Sequence, residues 1–268
     1  MPFRFTYPAD DWALILGASS GFGAATAREL AARGLNIFGV HLDRKATQQL
    51  AQEVVDDVEA AGRRALFFNV NAADAQKRAD VIASMSGAMG GEGLVRVFLH
   101  SIAFATLKPY IGAGPKQKIS QRQMEMTLDV MANSLVYWAQ DLLAAQLLRE
   151  GSRIYAMTSI GGERVWPAYG ATSAAKAALE SHIRQLALEL APHGITANSI
   201  RAGVTDTPAL RKIPGSDEMM EWARRANPHH RLTTPEDVAR AIGVLAHPDT
   251  AWLTGNVLGV DGGEQNAG

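Results

Sequence analysis

The segment Trp12-Ala-Leu-Ile-Leu-Gly17-Ala-Ser-Ser-Gly21-Phe-Gly23 lies near the start of the chain and indicates its fold. The first five residues form an apolar run that stops at glycine, which predicts a buried β-strand. The glycines allow the backbone to turn tightly and to approach a pyrophosphate, while residues 24–33 have helical composition. This order of strand, turn and helix predicts a dinucleotide-binding fold, although the spacing is Gly-x3-Gly-x-Gly and not the commoner Gly-x-Gly-x-x-Gly.

The remainder of the chain alternates strand-like and helix-like segments. Further strands are predicted at residues 35–41, 64–70, 94–100, 153–158, 195–200 and 256–260, and further helices at 45–62, 121–149, 170–191 and 235–246. This alternation predicts an α/β protein with a Rossmann fold, a doubly wound parallel sheet of about seven strands with helices on both faces. Because no linker or repeat divides the sequence, we expect residues 1–268 to form a single NAD(P)-binding domain.

Composition narrows the classes of partner. With 26 basic and 27 acidic residues the net charge is -1, so nothing favours nucleic acid or an anionic membrane. Cysteine is absent, and His229-His230 lack metal-ligand spacing, so we predict no metal site. No run of about eighteen apolar residues occurs, and residues 1–12 lack the apolar core of a signal peptide. We therefore expect a cytoplasmic protein with no membrane partner.

Tyr169 and Lys176 stand seven residues apart at the start of an alanine-rich segment. Seven residues make nearly two helical turns, so both side chains should emerge on one face. A nearby ammonium favours the phenolate form, and we therefore expect Lys176 to lower the pKa of Tyr169. An isolated Tyr on a helix is more often a packing residue than a catalytic acid. A Tyr/Lys pair beside a nucleotide site, however, suits reduction of a carbonyl or of an alkene conjugated to one.

The end of the second predicted strand, His41-Leu-Asp43-Arg44-Lys45, carries mixed signals about the cofactor. An acid there binds the ribose hydroxyls of NAD, whereas a basic residue binds the 2′-phosphate of NADP. The position usually acidic in NAD enzymes falls on His41, and Asp43 comes two residues later beside Arg44. We predict NADP(H), with NAD as the alternative. Asp43 and Arg44 could instead only cap the next helix.

Several motifs together resemble the short-chain dehydrogenase/reductase superfamily over nearly the whole chain. They are the glycine pattern, Asn69-Val70 after the third strand, the Tyr/Lys segment and the tail Leu253-Thr-Gly-Asn-Val-Leu-Gly-Val-Asp261-Gly-Gly. Within it, His100-Ser-Ile-Ala-Phe-Ala105 and the Tyr-x6-Lys spacing resemble the enoyl-acyl-carrier-protein reductases. Ketoreductases place their Tyr four residues before the Lys, where this chain has Thr172.

Two positions depart from the enoyl reductase pattern. Ser159 stands where many enoyl reductases carry a further Tyr; a Ser there is found in ketoreductases and in a divergent, NADPH-dependent enoyl reductase type. Met131 aligns with the ketoreductase Asn and cannot hold the water that a proton relay needs. The hybrid pattern favours enoyl reduction. Ser159 could alternatively be a strand-end hydroxyl that only satisfies nearby backbone.

The resemblance implies roles for individual residues. Tyr169 would donate a hydrogen bond to the substrate oxygen, Lys176 would hold the nicotinamide ribose, and Ser159 would give a second hydrogen bond. The backbone of residues 201–208 and Thr207 would hold the nicotinamide carboxamide and the pyrophosphate. The cofactor-binding residues implied are Gly17, Ser19, Ser20, Gly21, Phe22, Gly23, His41, Asp43, Arg44, Asn69, Val70, Ser101, Ile102, Ala103, Lys176, Gly203, Val204 and Thr207.

Two loops should shape the substrate pocket. Residues 208–228 form an insertion in which Met219, Met220, Trp222 and Ala223 make an apolar stripe at helical spacing. We interpret it as a lid over an acyl chain, although a helix that simply packs on the body would show the same pattern. Residues 106–119, rich in Gly, Pro and Lys, are typical of a mobile loop. Met124, Met126, Met131 and Trp138 should pack helices.

The predicted partner is an acyl thioester or related carbonyl substrate, and the resemblance implies a homo-oligomer, a tetramer or a dimer. Two rival functions stay open. One is a ketoreductase acting on a 3-oxoacyl thioester or another ketone. The other is a nucleotide-sensing protein that has lost catalysis, which would not need the intact pair of Tyr169 and Lys176.

Overall fold

A computed structural model describes residues 7–89 and 93–267, and the predicted doubly wound α/β fold is confirmed. Within those ranges lie seven parallel strands: Trp12–Leu16 (β1), Asn36–His41 (β2), Ala65–Asn69 (β3), Val95–His100 (β4), Arg153–Ser159 (β5), Thr196–Ala202 (β6) and Val257–Val260 (β7). They form one sheet in the order β3-β2-β1-β4-β5-β6-β7. Because β1 lies between β2 and β4, the chain reverses its direction across the sheet at β1. A crevice at the carboxyl ends of these strands is where such folds bind ligands.

Helices cover the two faces of the sheet. They are Gly21–Ala32 (α1), Gln48–Ala60 (α2), Ala75–Met89 (α3), Gln121–Leu128 (α4), Ser134–Ala144 (α5), Gly170–Leu190 (α6), Ser216–Ala226 (α7) and Pro235–Leu245 (α8). A π-helical turn, Asp129–Asn133, joins α4 to α5. The insertion at residues 208–228 therefore contains a helix, α7.

Two sequence predictions of helices need correction, and one helix was not predicted. The helix α3 was not predicted, because only Val81, Ile82, Met85 and Met89 are buried in a segment otherwise made of small and polar residues. The helix predicted at 45–62 begins only at Gln48. The long helix predicted at 121–149 contains the π turn and ends at Ala144. It ends there because Gln146 has a positive φ of 58°, and the N–H of Leu147 returns to the carbonyl of Leu142.

Two hydrophobic cores lie on opposite faces of the sheet, and β1 contributes to both. Leu14 and Leu16 face the core that includes Trp138, whereas Ala13 and Ile15 face the other core. Burial on both faces explains why β1 reads as a continuous apolar run and not as an alternating one. In the described part of the chain, no helix is both long enough and apolar enough to cross a membrane.

Close backbone contacts require glycine at two positions of the glycine-rich turn. Gly17 has a φ of 88°, and a Cβ atom at this position would overlap the carbonyl oxygen of Ser101. A Cβ atom at Gly23 would overlap the carbonyl oxygen of Gly17. Glycine at these positions therefore allows β1, α1 and the segment after β4 to approach one another.

Gly17→Ala should destabilise the protein by about 2 kcal/mol or more, because it adds left-handed strain to a backbone clash. Gly87→Ala is the matched control, since a Cβ atom there would have no neighbour within 4 Å and Gly87 lies inside α3. The control should gain about 0.5–1 kcal/mol from better helix propensity. Urea unfolding of both variants checks this. A Gly17→Ala variant as stable as the wild type would contradict the packing described here.

Candidate active site

The glycine-rich turn forms one wall of the crevice at the carboxyl end of β1. Ser20 precedes α1, but its side chain makes no capping hydrogen bond, so the first N–H groups of the helix are not capped by it. A helix end of this kind favours an anion. Thr207 lies across the turn, because a Cβ atom at Gly21 would be 3.5 Å from its Cγ2. The structure thus brings Gly17, Gly21 and Thr207 together in one cradle, and binding of a pyrophosphate there stays a prediction.

At the end of β2, Asp43 is held by several hydrogen bonds. His41 Nδ1 lies 2.8 Å from one carboxylate oxygen, and Thr47 Oγ1 donates to the other at 2.7 Å. The side chain of Asn69 accepts from the Asp43 N–H at 2.9 Å and donates to its carbonyl at 3.0 Å. Desolvation raises the pKa of Asp43, but the hydrogen bonds from Thr47, Ser19 and His41 together hold it below its usual value.

This arrangement bears on the two interpretations of Asp43 and Arg44. Asp43 contacts Thr47, which immediately precedes α2, so Asp43 does help to fix the start of that helix. Arg44 is the residue after Asp43 and is exposed. Val70 follows β3, and its N–H donates to the carbonyl of His41 at 2.8 Å, which ties the ends of β2 and β3 together.

Tyr169 and Ser159 meet at the end of β5. Tyr169 is the residue just before α6, not a residue within it. A Cβ atom at Gly161 would be 2.5 Å from Tyr169 Cε1 and 3.2 Å from Ser159 Oγ, so the glycine leaves room for the two side chains to approach. Ser159 Oγ is buried, and among the described residues no group completes a well-oriented hydrogen bond with it. Because a buried hydroxyl without a partner is costly, the strand-end interpretation, in which Ser159 only satisfies backbone, is not supported.

The predicted electrostatic coupling between Lys176 and Tyr169 is wrong. Burial raises the pKa of Tyr169, and the group that opposes this rise is the Ser159 hydroxyl. Lys176 instead donates through Nζ to the carbonyl of Met157 at 2.6 Å. Burial of Lys176 lowers its own pKa from 10.5 to about 8, against the opposing effect of Glu180. The phenol is therefore a protonated hydrogen-bond donor at neutral pH.

Glu180 is a buried carboxylate that the sequence analysis missed. It lies one turn after Lys176 on α6 and accepts a hydrogen bond from Thr158 Oγ1 at 2.6 Å. Only its spacing from Lys176 could have indicated it, since charged residues at i and i+4 share a helix face. Three consecutive residues of β5, Met157, Thr158 and Ser159, thus contact Lys176, Glu180 and Tyr169 in turn.

His100 ends β4 in a fully buried position. Its Nε2 lies 2.9 Å from Ser134 Oγ, and that hydroxyl donates to the carbonyl of Val130 at 2.8 Å. Because Ser134 uses its proton in this way, Nε2 of His100 must be the donor to Ser134. Burial, with the charges of Lys176 and His182, lowers the pKa of His100 to about 3, so the ring is neutral.

The π turn carries Met131 and Asn133. Met131 is buried in the core, as predicted. Asn133 Oδ1 lies 3.2 Å from Nε2 of His182 and so interacts with α6. A buried thioether therefore occupies the position at which ketoreductases carry a water-holding amide.

In the segment after β6, the predicted cofactor residue Val204 has a hydrogen-bond partner within the chain, and its contact with the cofactor stays a prediction. The Val204 N–H donates to both carboxylate oxygens of Glu264 at 3.2 Å, so it is already engaged within the chain. Burial raises the pKa of Glu264, and the Val204 N–H opposes that rise. Gly203 packs against Thr233 and Glu264 so closely that a Cβ atom would clash. Glu264 directly follows the tail that resembled the superfamily, but its partner could not be read from the sequence.

Other predicted cofactor residues also have packing roles. Phe22 packs partly buried against the core under α1, and Ile102 packs against the opposite core. The Ser101 N–H donates to the carbonyl of Leu16 at 2.8 Å, which joins the ends of β4 and β1. Ala103 is exposed in the segment that follows. The side chains of Phe22 and Ile102 are thus explained by the fold alone.

The predicted apolar stripe on α7 divides between two environments. Met220 and Ala223 are buried, whereas Met219 is only partly covered and Trp222 is exposed. The guanidinium of Arg164 lies 5.7 Å from the Trp222 ring. The helix therefore packs on the body through half of the stripe and presents the other half at the rim of the crevice. Closure of this helix as a lid stays a prediction.

The residue Tyr110 is a further rim residue that sequence reasoning missed. A Cβ atom at Gly170 would be 2.6 Å from Tyr110 Cζ, so the ring lies directly on the start of α6 beside Tyr169. Across residues 7–89 and 93–267, no three His, Cys, Asp or Glu side chains are grouped in a way that could hold a metal ion.

Comparison with known proteins agrees with this geometry. The sequence model of the family described as "Enoyl-(Acyl carrier protein) reductase" matches residues 17–265. The chain is 31% identical to a 1-cyclohexenylcarbonyl-CoA reductase of Streptomyces collinus, over 93% of this chain and 85% of the relative.

Solved structures share the fold over almost the full length. An enoyl-[acyl-carrier-protein] reductase (NADH) from Aquifex aeolicus superimposes with a TM-score of 0.82 at 26% identity, covering 96% of this chain and 97% of that one. A short-chain dehydrogenase from Burkholderia cenocepacia in complex with NADP gives a TM-score of 0.79 at 28% identity, covering 96% and 98%.

The lowered pKa of Lys176 predicts a specific pH dependence of stability. Between about pH 8 and pH 10.5 the unfolded chain keeps the Lys176 proton while the folded protein has lost it. Stability therefore rises with pH in this window. The free energy of unfolding of the wild type, relative to Lys176→Met, should increase by about 3 kcal/mol across it. Urea unfolding at several pH values measures the difference. Lys77→Met, at an exposed position, is the control, and its free energy of unfolding should differ from that of the wild type by the same amount at every pH. A difference for Lys176→Met that also stayed constant with pH would show that Lys176 is solvated in the folded protein.

Proposed function

The chain belongs to the enoyl-(acyl carrier protein) reductase family of the short-chain dehydrogenases/reductases, and we propose that it reduces the 2,3 double bond of an enoyl thioester with NADPH. As a member of this family it is an NAD(P)H-dependent reductase, so the alternative of a non-catalytic nucleotide sensor is set aside. The main support for the proposal is that the Tyr169 side chain lies beside the buried Ser159 hydroxyl at the end of β5.

The two hydroxyls supply the electrostatics of the reaction. NADPH, when bound, supplies the hydride that goes to the β carbon. Negative charge would then build on the thioester oxygen, and the Tyr169 hydroxyl would donate a hydrogen bond to it. Ser159, whose buried hydroxyl lies beside Tyr169, would give a second hydrogen bond to the same oxygen. A donor aimed at such an oxygen contributes about 3 kcal/mol to the transition state. The enolate would next take a proton from solvent at its α carbon, which gives the saturated thioester.

The raised pKa of Tyr169 suits this role. An enolate needs a hydrogen bond, and a phenol that keeps its proton can provide one throughout the reaction. Reduction of a ketone instead makes an alkoxide that takes the Tyr169 proton, so the resulting phenolate has to be reprotonated from solvent. The buried Met131 stands where a relay amide would be needed, and Lys176 Nζ is bonded to the Met157 carbonyl. Both facts favour enoyl reduction.

Residues of this chain could bind each part of the cofactor. The glycine cradle with Thr207 would hold the pyrophosphate, and Lys176 would hold the nicotinamide ribose. The carboxylate of Asp43 is engaged by His41 and Thr47, which leaves it less able to accept from the ribose hydroxyls. The exposed Arg44 would meet a 2′-phosphate, and this supports NADPH over NADH. A solved relative at 28% identity is in complex with NADP, while the Aquifex relative is named for NADH.

The thioester class is supported by the Streptomyces relative, which is named as a reductase of a CoA thioester. A ketoreductase is the second candidate, because Ser159 beside Tyr169 is the arrangement that a carbonyl oxygen would also need. It requires Tyr169 to reach the carbonyl from one turn before the usual position, which here is the buried Thr172. A homo-oligomer stays a prediction.

The purified enzyme should reduce a crotonyl thioester with NADPH much faster than it reduces an acetoacetyl thioester. Tyr169→Phe should lower turnover of the crotonyl thioester about a hundredfold or more, because one donor to the oxyanion is lost. Turnover is measured by the loss of NADPH absorbance under saturating conditions.

Tyr137→Phe is the control for the phenol series. Tyr137 bonds Asp129 on the π turn, outside the predicted set of catalytic residues, and its loss should leave turnover close to wild type. Faster reduction of the acetoacetyl thioester would establish the ketoreductase in place of our proposal. Full activity of Tyr169→Phe would remove Tyr169 from the mechanism.

Arg44→Ala should raise the KM for NADPH about tenfold and leave the KM for NADH nearly unchanged, because only NADPH carries the 2′-phosphate. Steady-state kinetics with both nucleotides at fixed thioester measures this. Arg184→Ala removes an exposed charge on α6 and is the control. Equal effects on both nucleotides would mean that Arg44 does not select the cofactor.

A further inference from the structure

We propose that Lys108, Lys116 and Lys118 bind the phosphate groups of a coenzyme A carrier. These residues lie in the loop 104–119 between β4 and α4, here called the lysine loop. The inference rests on the proposed reduction of an enoyl thioester and adds to it a site for the nucleotide part of the substrate.

The lysine loop is strongly cationic in a chain that is otherwise balanced. From Ser101 to Met124 the sequence contains Lys108, Lys116, Lys118 and Arg122 but no Asp or Glu, whereas the whole chain has a net charge of -1. On the opposite rim, Arg211 forms ion pairs with Asp206 and Asp217, so its charge is compensated. The lysine loop therefore concentrates positive charge on one side of the crevice.

Hydrogen bonds within the loop bring its lysines together. The Ile119 N–H donates to the Pro109 carbonyl at 3.0 Å and closes the base of the loop. Lys108 Nζ donates to the carbonyl of Lys116 at 3.1 Å. Lys116 and Lys118 are exposed. The three lysines thus belong to one small, closed loop, in which Lys108 is half-buried and Lys116 and Lys118 face water.

The base of this loop adjoins the catalytic tyrosine. Tyr110 follows Pro109, and its ring lies on Gly170, the neighbour of Tyr169, at 2.6 Å from a Cβ atom built there. When the acyl group lies at Tyr169, the carrier must leave the crevice past its rim. The lysine loop forms that rim on the Tyr110 side.

The chemistry of the carrier matches the charge of the loop. Coenzyme A ends in a diphosphate and a ribose 3′-phosphate, and exposed lysines bind such groups as mobile point charges. A stable interface with an acidic carrier protein would need about 800 Å² on each partner. A closed loop of this size fits the phosphates of a nucleotide better than such a protein surface.

The test compares two thioesters with the same acyl group. Crotonyl-CoA carries the phosphates, whereas the crotonyl thioester of N-acetylcysteamine has none. Lys116→Gln with Lys118→Gln should raise the KM for crotonyl-CoA about tenfold, since each exposed pair contributes only a few-fold. The KM for the cysteamine thioester and for NADPH should not change. The effect should shrink as ionic strength rises.

A second double variant controls for the loss of charge. Lys77→Gln with Arg184→Gln removes two exposed charges outside the lysine loop and should alter neither KM. Lys108 is left in place, because its hydrogen bond holds the loop. Equal changes for both thioesters would show that the lysines only shape the loop, and no change for crotonyl-CoA would also overturn the proposal.

Binding measured without turnover separates this inference from the proposed function. Titration of crotonyl-CoA into the wild type loaded with NADP⁺ should give a dissociation constant about tenfold lower than for the Lys116→Gln, Lys118→Gln variant. If neither thioester is reduced but this difference is found, the proposed reaction fails and the phosphate site stands. The double variant could instead raise the KM for a crotonyl-acyl carrier protein more than the KM for crotonyl-CoA. In that case the loop binds a protein carrier and our assignment is wrong.

Discussion

The packing of α6 against the end of β5 fixes the chemistry of this site. Three consecutive residues of β5 contact three different groups on or next to this helix. Met157 contacts an ammonium, Thr158 a carboxylate and Ser159 a phenol. The Lys176 and Glu180 contacts are buried hydrogen bonds of 2.6 Å, which leave little freedom for the helix to rotate or slide. The position of Tyr169 relative to the glycine cradle therefore follows from the sheet, because β5 and β1 both pair with β4.

Burial of Lys176 carries a cost that the surrounding residues offset. The lowering of its pKa corresponds to about 3 kcal/mol at neutral pH, where the charged form is kept out of water. The Met157 carbonyl and the nearby Glu180 carboxylate oppose that cost, and burial keeps His100 neutral so that it adds no positive charge. A cation maintained in this way is available to hold ribose hydroxyls, which a solvated lysine on a flexible stem would do less well.

Local patterns predicted the sheet and most helices, because apolar runs and glycine turns report directly on burial and backbone conformation. The helix α3 was missed because only four of its residues face the core. The sequence also placed Tyr169, Ser159, Thr207 and the glycines in one crevice by their order along the strands. It could not reveal that Glu264 engages Val204, or that burial raises the pKa of Tyr169 with only the Ser159 hydroxyl opposing the rise, because both depend on residues brought together by folding.

The site divides into a rigid floor and a variable rim, and this division explains why the floor alone does not determine the substrate. The floor consists of strand ends and the start of α6, with donors positioned by backbone packing. The rim consists of the loop that carries Tyr110 and of α7, where Trp222 is exposed beside Arg164. An oxyanion formed from an enoyl thioester or from a ketone would meet the same two hydroxyls. Residues other than the two hydroxyls must therefore discriminate between these substrates. The candidates are the rim and the Met131 position, which offers no amide for a relay water.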